Sequence, residues 1–83
     1  MNPKYEPKTD VEKLGYLIEE CGEVLAATGK SLRWGLDSVD PELDPDDAET
    51  NRAWLARELR DLERAIGFAR EVLNDWPRSS RVV

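Results

Sequence analysis

Two stretches of this chain carry carboxylates at a spacing suited to chemistry. One is Glu19-Glu20-Cys21-Gly22-Glu23 and the other is Glu58-Leu59-Arg60-Asp61. In each, acids three residues apart fall one turn apart on the same side of a helix. Two such turns face to face would gather Glu20, Glu23, Glu58 and Asp61 around one point. Hard divalent cations such as Mg²⁺ take oxygen ligands of this kind, with water and phosphate completing the shell. Two other readings stand beside it: a cluster of interhelical ion pairs, with Arg57, Arg60 and Arg64 near in sequence, and ordinary solvated acids.

The elements that must position these acids are legible. Residues 1–8 hold two prolines, lack periodicity and read as an extended arm. Thr9-Asp10-Val11-Glu12 fits a capping box, with Thr9 as N-cap and Glu12 reaching back to it. Val11, Leu14, Leu17, Ile18, Cys21, Val24, Leu25 and Thr28 then recur at threes and fours, which predicts an amphipathic helix over 9–29 ended by Gly29. Cys21 falls on this apolar side and reads as a small core residue. Residues 36–47 are acidic, hold two prolines and read as a solvated loop. The second helix is predicted over 46–76, opened near Pro45 and stopped by Pro77, with 77–83 as a tail. Trp54, Leu55, Leu59, Leu62, Ile66 and Trp76 contribute to its apolar stripe, and Trp54 and Trp76 read as core.

At about 100° per residue, Glu58 falls inside that stripe and Asp61 on its edge. Glu20 and Glu23 lie just beside the stripe of the first helix. Arg57, Arg60 and Arg64 fall on the opposite face of the second. Burying an unpaired charge costs several kcal/mol, so Glu58 requires an arginine, a hydrogen-bond network or a metal. Lys30 and Trp34 follow the first acid set. Trp34 can stack on a base or pack on a helix. Lys30 can meet a phosphate or serve the helix dipole.

Composition narrows the chemistry. The 83-residue chain contains no histidine, which excludes Ser-His and Cys-His nucleophiles and leaves carboxylates and metal. A single cysteine allows no internal disulfide, so the cytoplasm is the expected compartment. The net charge of −6 argues against a duplex nucleic-acid partner. Apolar runs fall far short of the roughly 20 residues that span a membrane, and the N-terminal segment lacks a signal-peptide core. The fold class expected is all-α, a helical hairpin. Such a hairpin leaves both stripes partly wet, and pairing into a four-helix bundle removes the defect, so a homo-oligomer is expected.

Glu-Glu-Cys-Gly-Glu followed by Glu-Leu-Arg-Asp in an all-helical hairpin resembles the MazG-like nucleotide pyrophosphohydrolases of the all-α NTP pyrophosphohydrolase superfamily. Their hallmark is EExxE on one helix and ExxD on the next, and the resemblance covers about residues 11–73. It implies hydrolysis of a nucleoside triphosphate to the monophosphate and pyrophosphate, in nucleotide-pool housecleaning, by a homodimer or homotetramer. It implies Glu20, Glu23, Glu58 and Asp61 as Mg²⁺ ligands, with Mn²⁺ as a substitute, and Glu20 or Glu23 as acceptor of the water's proton. Glu19 matches the first motif position. Trp34 would help hold the base and Lys30 the phosphates. Arg70, Asn74, Arg78 and Arg81 stand near where many members carry a further phosphate-binding segment. The alternative reading is a non-catalytic helical interaction module that keeps the scaffold.

Overall fold

The computed structural model describes residues 5–42, 44, 46 and 48–75. Two helices, α1 (Asp10–Trp34) and α2 (Asn51–Leu73), pack against each other. They run antiparallel. Lys13 pairs with Glu71 at one end (3.3 Å), and at the other the Asn51 side chain reaches the carbonyls of Gly35 (2.9 Å) and Lys30 (3.4 Å).

The start of α1 follows the capping-box expectation. Thr9 Oγ1 accepts from the Glu12 N–H, and Glu12 Oε1 accepts from the N–H groups of Thr9 and Lys8. Those contacts satisfy donors that a helix N-terminus otherwise leaves orphaned, worth about 1 kcal/mol. The backbone hydrogen bonds to Glu12 hold its carboxyl below the usual range. Ahead of the cap, Tyr5 stacks on Tyr16 at 5.8 Å and Pro7 is buried, so this part of the arm lies on the hairpin.

Three expectations about boundaries are corrected. α1 does not stop at Gly29, because a lone glycine costs a helix only about 1 kcal/mol and no proline follows it. The helix continues to Trp34 and ends at Gly35, whose N–H donates to the Ser31 carbonyl (2.9 Å). Gly35 adopts φ 99°, ψ 153°, a conformation essentially reserved for glycine. α2 begins at Asn51, not at 46. Its N-cap is Thr50, whose Oγ1 accepts from the Ala53 N–H (3.1 Å). Residues 48–50 stay non-helical because this stretch pairs back: Thr50 bridges Val39, and the Asn51 and Arg52 N–H groups bond the carbonyls of Ser38 and Leu36. α2 ends at Leu73 with Asn74 in the left-handed region as its cap (φ 51°). Trp76 and the 77–83 tail lie outside the described residues.

The face that α1 turns to α2 also differs from expectation. The buried residues of α1 are Tyr16, Glu20 and Ala27, and those of α2 are Asn51, Glu58, Ala65 and Ala69. Val11 (81% exposed), Ile18 (74%) and Leu25 (72%), members of the predicted apolar stripe, point away from α2, and Cys21 is exposed rather than core. The reason is steric. Alanines at the contact let the two axes approach, and the acid-bearing face of α1 can then meet Glu58. Glu20, expected beside the stripe, is fully buried.

Candidate metal centre and adjoining cleft

The four predicted acids come together at the middle of the hairpin. One carboxylate oxygen from each of Glu20, Glu58 and Asp61 lies within 4.8 Å of the others. A second such group joins Glu19, Glu20 and Glu23, so Glu20 belongs to both. Glu23 is half-buried, and its carboxylate helps to raise that of Glu58.

Burial makes this more than a patch of acids. Glu20 and Glu58 are 0% and 1% exposed and are the largest fully buried side chains among the described residues. Both oxygens of Glu20 and Oε2 of Glu58 have no hydrogen-bond partner, and the Tyr16 hydroxyl beside them is likewise unpartnered. Carboxylates buried in this way are strongly unfavourable unless something positive reaches them. Burial first, and then the neighbouring Glu23 and Asp61 charges, push the Glu20 carboxyl above its ordinary range. The Glu58 carboxyl is pushed up to about 7 by burial first and by Glu23 second. Once protonated, Glu58 can share its proton with Glu23. The donor set fits a hard cation. Metal–oxygen bonds of about 2.0–2.6 Å put oxygens on opposite sides of one ion about 4–5 Å apart, and the spacing here falls within that span.

One cationic side chain does reach the group, against the expectation that the arginines of α2 face elsewhere. Arg57 leaves the helix on the flank of the contact and bends back: Nη1 lies 2.9 Å from Glu58 Oε1, and Nη2 lies 2.6 Å from Glu49 Oε1. A long apolar stem permits this reach. The contact satisfies one Glu58 oxygen and none of Glu20. Arg60 is exposed, and Arg64 lies over the Phe68 ring at 5.6 Å.

Beyond Arg57 opens a cleft of about 760 Å³, lined among others by Lys30, Trp34, Glu49, Asn51, Trp54 and Arg57. Its size is that of an ordinary small-molecule site. Trp34 is 62% exposed and free of helix packing. Trp54, expected in the core, is half-buried and lines the same cleft. Residues 38–42 of the connection form another wall. Arg70 bonds the Asp75 carbonyl at the far end of α2, Asn74 is the helix cap, and Arg78 and Arg81 lie outside the described residues. Sequence reasoning missed Arg57, Asn51, Trp54 and Glu49 as cleft residues. A usable signal existed: reading Thr50 as the N-cap puts Asn51, Trp54, Arg57 and Glu58 on successive turns of one side. No signal marked Tyr16. Comparisons of the chain with family models, with curated proteins and with solved structures returned no match.

Proposed function

We propose that this chain is a Mg²⁺-dependent, MazG-like nucleoside triphosphate pyrophosphohydrolase, cleaving (d)NTP and water to (d)NMP and pyrophosphate. The observation that carries the reading is a buried set of carboxylates with unpartnered oxygens, opening beside a cleft lined by two tryptophans and two cationic side chains. Glu20, Glu58 and Asp61, with Glu23, would hold the cation; Mn²⁺ would serve in its place. When bound, the cation supplies positive charge against the triphosphate and polarises water. The remaining work falls to the chain's own groups. Trp34 and Trp54 offer ring faces to a base. Lys30 and Arg57 offer charge to phosphate oxygens. Glu23, the half-buried carboxylate at the rim of this ligand set, would also accept the proton of the attacking water as the anhydride bond between the α- and β-phosphates breaks.

The protein is read as working in the cytoplasm on the nucleotide pool, as a homo-oligomer whose paired hairpins make a four-helix bundle. An exposed single thiol, Cys21, fits a reducing compartment. The rival reading, a non-catalytic interaction module with a structural ion-pair cluster, draws on the Arg57–Glu58 contact. It leaves Glu20 unexplained. Pyrophosphate release from a panel of NTPs and dNTPs, with Mg²⁺, Mn²⁺ or EDTA, decides between them. EDTA-sensitive release from any member supports the enzyme. Silence across the panel, with no metal-dependent rise in melting temperature, favours the module.

A further inference from the structure

Arg57 stands between the buried acids and the cleft, and both make demands on it. Nη1 donates to Glu58 Oε1 (2.9 Å) and Nη2 donates to Glu49 Oε1 (2.6 Å). The two prongs of one guanidinium are thus held by two different acids. Glu58 is buried in the helix contact, whereas Arg57 and Glu49 are part-exposed and line the cleft. A guanidinium carries five N–H donors. Among the described residues, Arg57 uses no others than the two on Glu58 and Glu49.

A cation in the acid group competes for the same carboxylate. Glu20, Glu58 and Asp61 each turn one oxygen to within 4.8 Å of the others. Metal–oxygen bonds run to about 2.6 Å, so a cation on Glu58 Oε1 would stand within about 5.5 Å of Nη1. Like charges at that range in a partly buried place repel strongly. Binding through Oε2, which is unpartnered, frees the hydrogen bond from contest but keeps the repulsion. Arg57 and a divalent cation therefore weaken each other's hold on Glu58.

The cleft has the complementary problem. Lys30 and Arg57 are its cations, and Asp40, Glu42 and Glu49 are its acids, two against three. While Arg57 is committed to Glu49 and Glu58, this wall offers a phosphate little beyond Lys30. Letting go of Glu58 changes the balance. Glu49 keeps the side chain on the cleft wall through Nη2, and Nη1 is left to turn toward an anion. The planar fork of arginine suits two partners on two edges, which a lysine ammonium does not.

We propose that Arg57 is handed from the acid centre to the anion: a divalent cation at Glu20, Glu58 and Asp61 displaces Nη1 from Glu58, and Nη1, tethered through Glu49, takes a phosphate oxygen in the cleft. The inference rests on the metal-centre reading above and adds a coupling between the two ligands. Such coupling is reciprocal, so each ligand tightens the other.

Calorimetry on the full chain and on Arg57→Gln tests it without turnover. The probes are Mg²⁺ alone, then methylenediphosphonate at saturating Mg²⁺, an unhydrolysable anion that needs no base contact. Titration at pH 9 keeps Glu58 ionised in both proteins. Arg57→Gln should bind Mg²⁺ at least about tenfold more tightly and the diphosphonate at least about tenfold more weakly, the worth of one charge-assisted hydrogen bond. Opposite shifts are the mark of the hand-over. Unchanged or weaker Mg²⁺ binding overturns it, because a merely structural ion pair gives that result. Tighter Mg²⁺ binding with unchanged diphosphonate binding also overturns it, since Arg57 then serves the acids alone. A wild type that binds no Mg²⁺ overturns the metal-centre reading as well, which separates the two failures. Should Arg57→Gln not fold, nitrogen-15 NMR of the wild type gives an independent answer. The two Arg57 Nη signals should be distinct, merge as Mg²⁺ releases the side chain to rotate, and separate again with diphosphonate. Signals that stay distinct through both additions overturn the proposal.

Discussion

Lowering the pH should stabilise this protein when it is free of metal. The Glu58 carboxyl sits at about 7 in the folded chain against an ordinary value of 4.5. Between those values the folded state holds a proton that the unfolded chain has released. Stability is therefore full below pH 4.5 and is lost as pH rises through 7. Each pH unit in the window costs about 1.4 kcal/mol, so moving from pH 5 to pH 8 removes about 3 kcal/mol. Glu20, shifted in the same direction, adds to the loss. Glu12 and Asp37 are shifted downward and act only below the window, on the acid side of the ordinary range. For a chain of this size the melting temperature should fall by more than about 10 °C. The assay is thermal unfolding followed by circular dichroism at fixed protein concentration in EDTA, repeated with saturating Mg²⁺ or Mn²⁺. Metal should flatten the fall, because a cation favours the ionised carboxylates. A melting temperature that stays flat or rises from pH 5 to pH 8 in EDTA would refute the reasoning, since it would mean that Glu20 and Glu58 ionise without penalty.

Glu58→Gln should cut pyrophosphate release by more than about a hundredfold, yet raise the metal-free melting temperature at pH 8, because it removes a buried charge; parallel activity and melting assays check both signs. Arg57→Gln takes away the cation beside Glu58, so the midpoint of the pH-dependent fall should move above 7 in the same melting series. Gly35→Ala forces a side chain into a glycine conformation and should cost about 1–3 kcal/mol, lowering the melting temperature by roughly 5–15 °C. Trp34→Ala should weaken nucleotide binding, measured by calorimetry with a non-hydrolysable triphosphate, while leaving the fold intact, since Trp34 is mostly exposed.

The all-helical hairpin was legible because local rules set it. Thr9 and Glu12 cap one helix in the expected way, and the acid spacing put Glu20 and Glu58 on facing turns. The boundaries were less so. Gly29 and Pro45 are strong punctuation in isolation, but the Asn51 side chain ties the start of α2 to the end of α1 through contacts that span 16–21 residues of sequence. The orientation of α1 misled for a different reason. An apolar stripe marks a helix but not which part of it meets its neighbour, and here small residues, Ala27, Ala65 and Ala69, lie at the contact. Arg57 was missed because a wheel tracks where a side chain leaves the helix and not how far it reaches.

The tie between Asn51 and the end of α1 bears on how such a protein can change over time. Hydrogen bonds from Asn51 and Arg52 to Leu36, Ser38 and Gly35, with the Val39–Thr50 bridge, clamp the connection at its base. The stretch between these points closes on itself, and lengthening it is cheap: doubling a loop costs only about 0.6 kcal/mol. Asp40, Pro41, Glu42 and Glu49 belong to that stretch and form part of the cleft wall, whereas the buried carboxylates belong to the helices. Insertions and exchanges there can remodel which molecules enter without disturbing the four acids. One wall of the cleft and the four acids thus belong to separately mutable parts of one short chain.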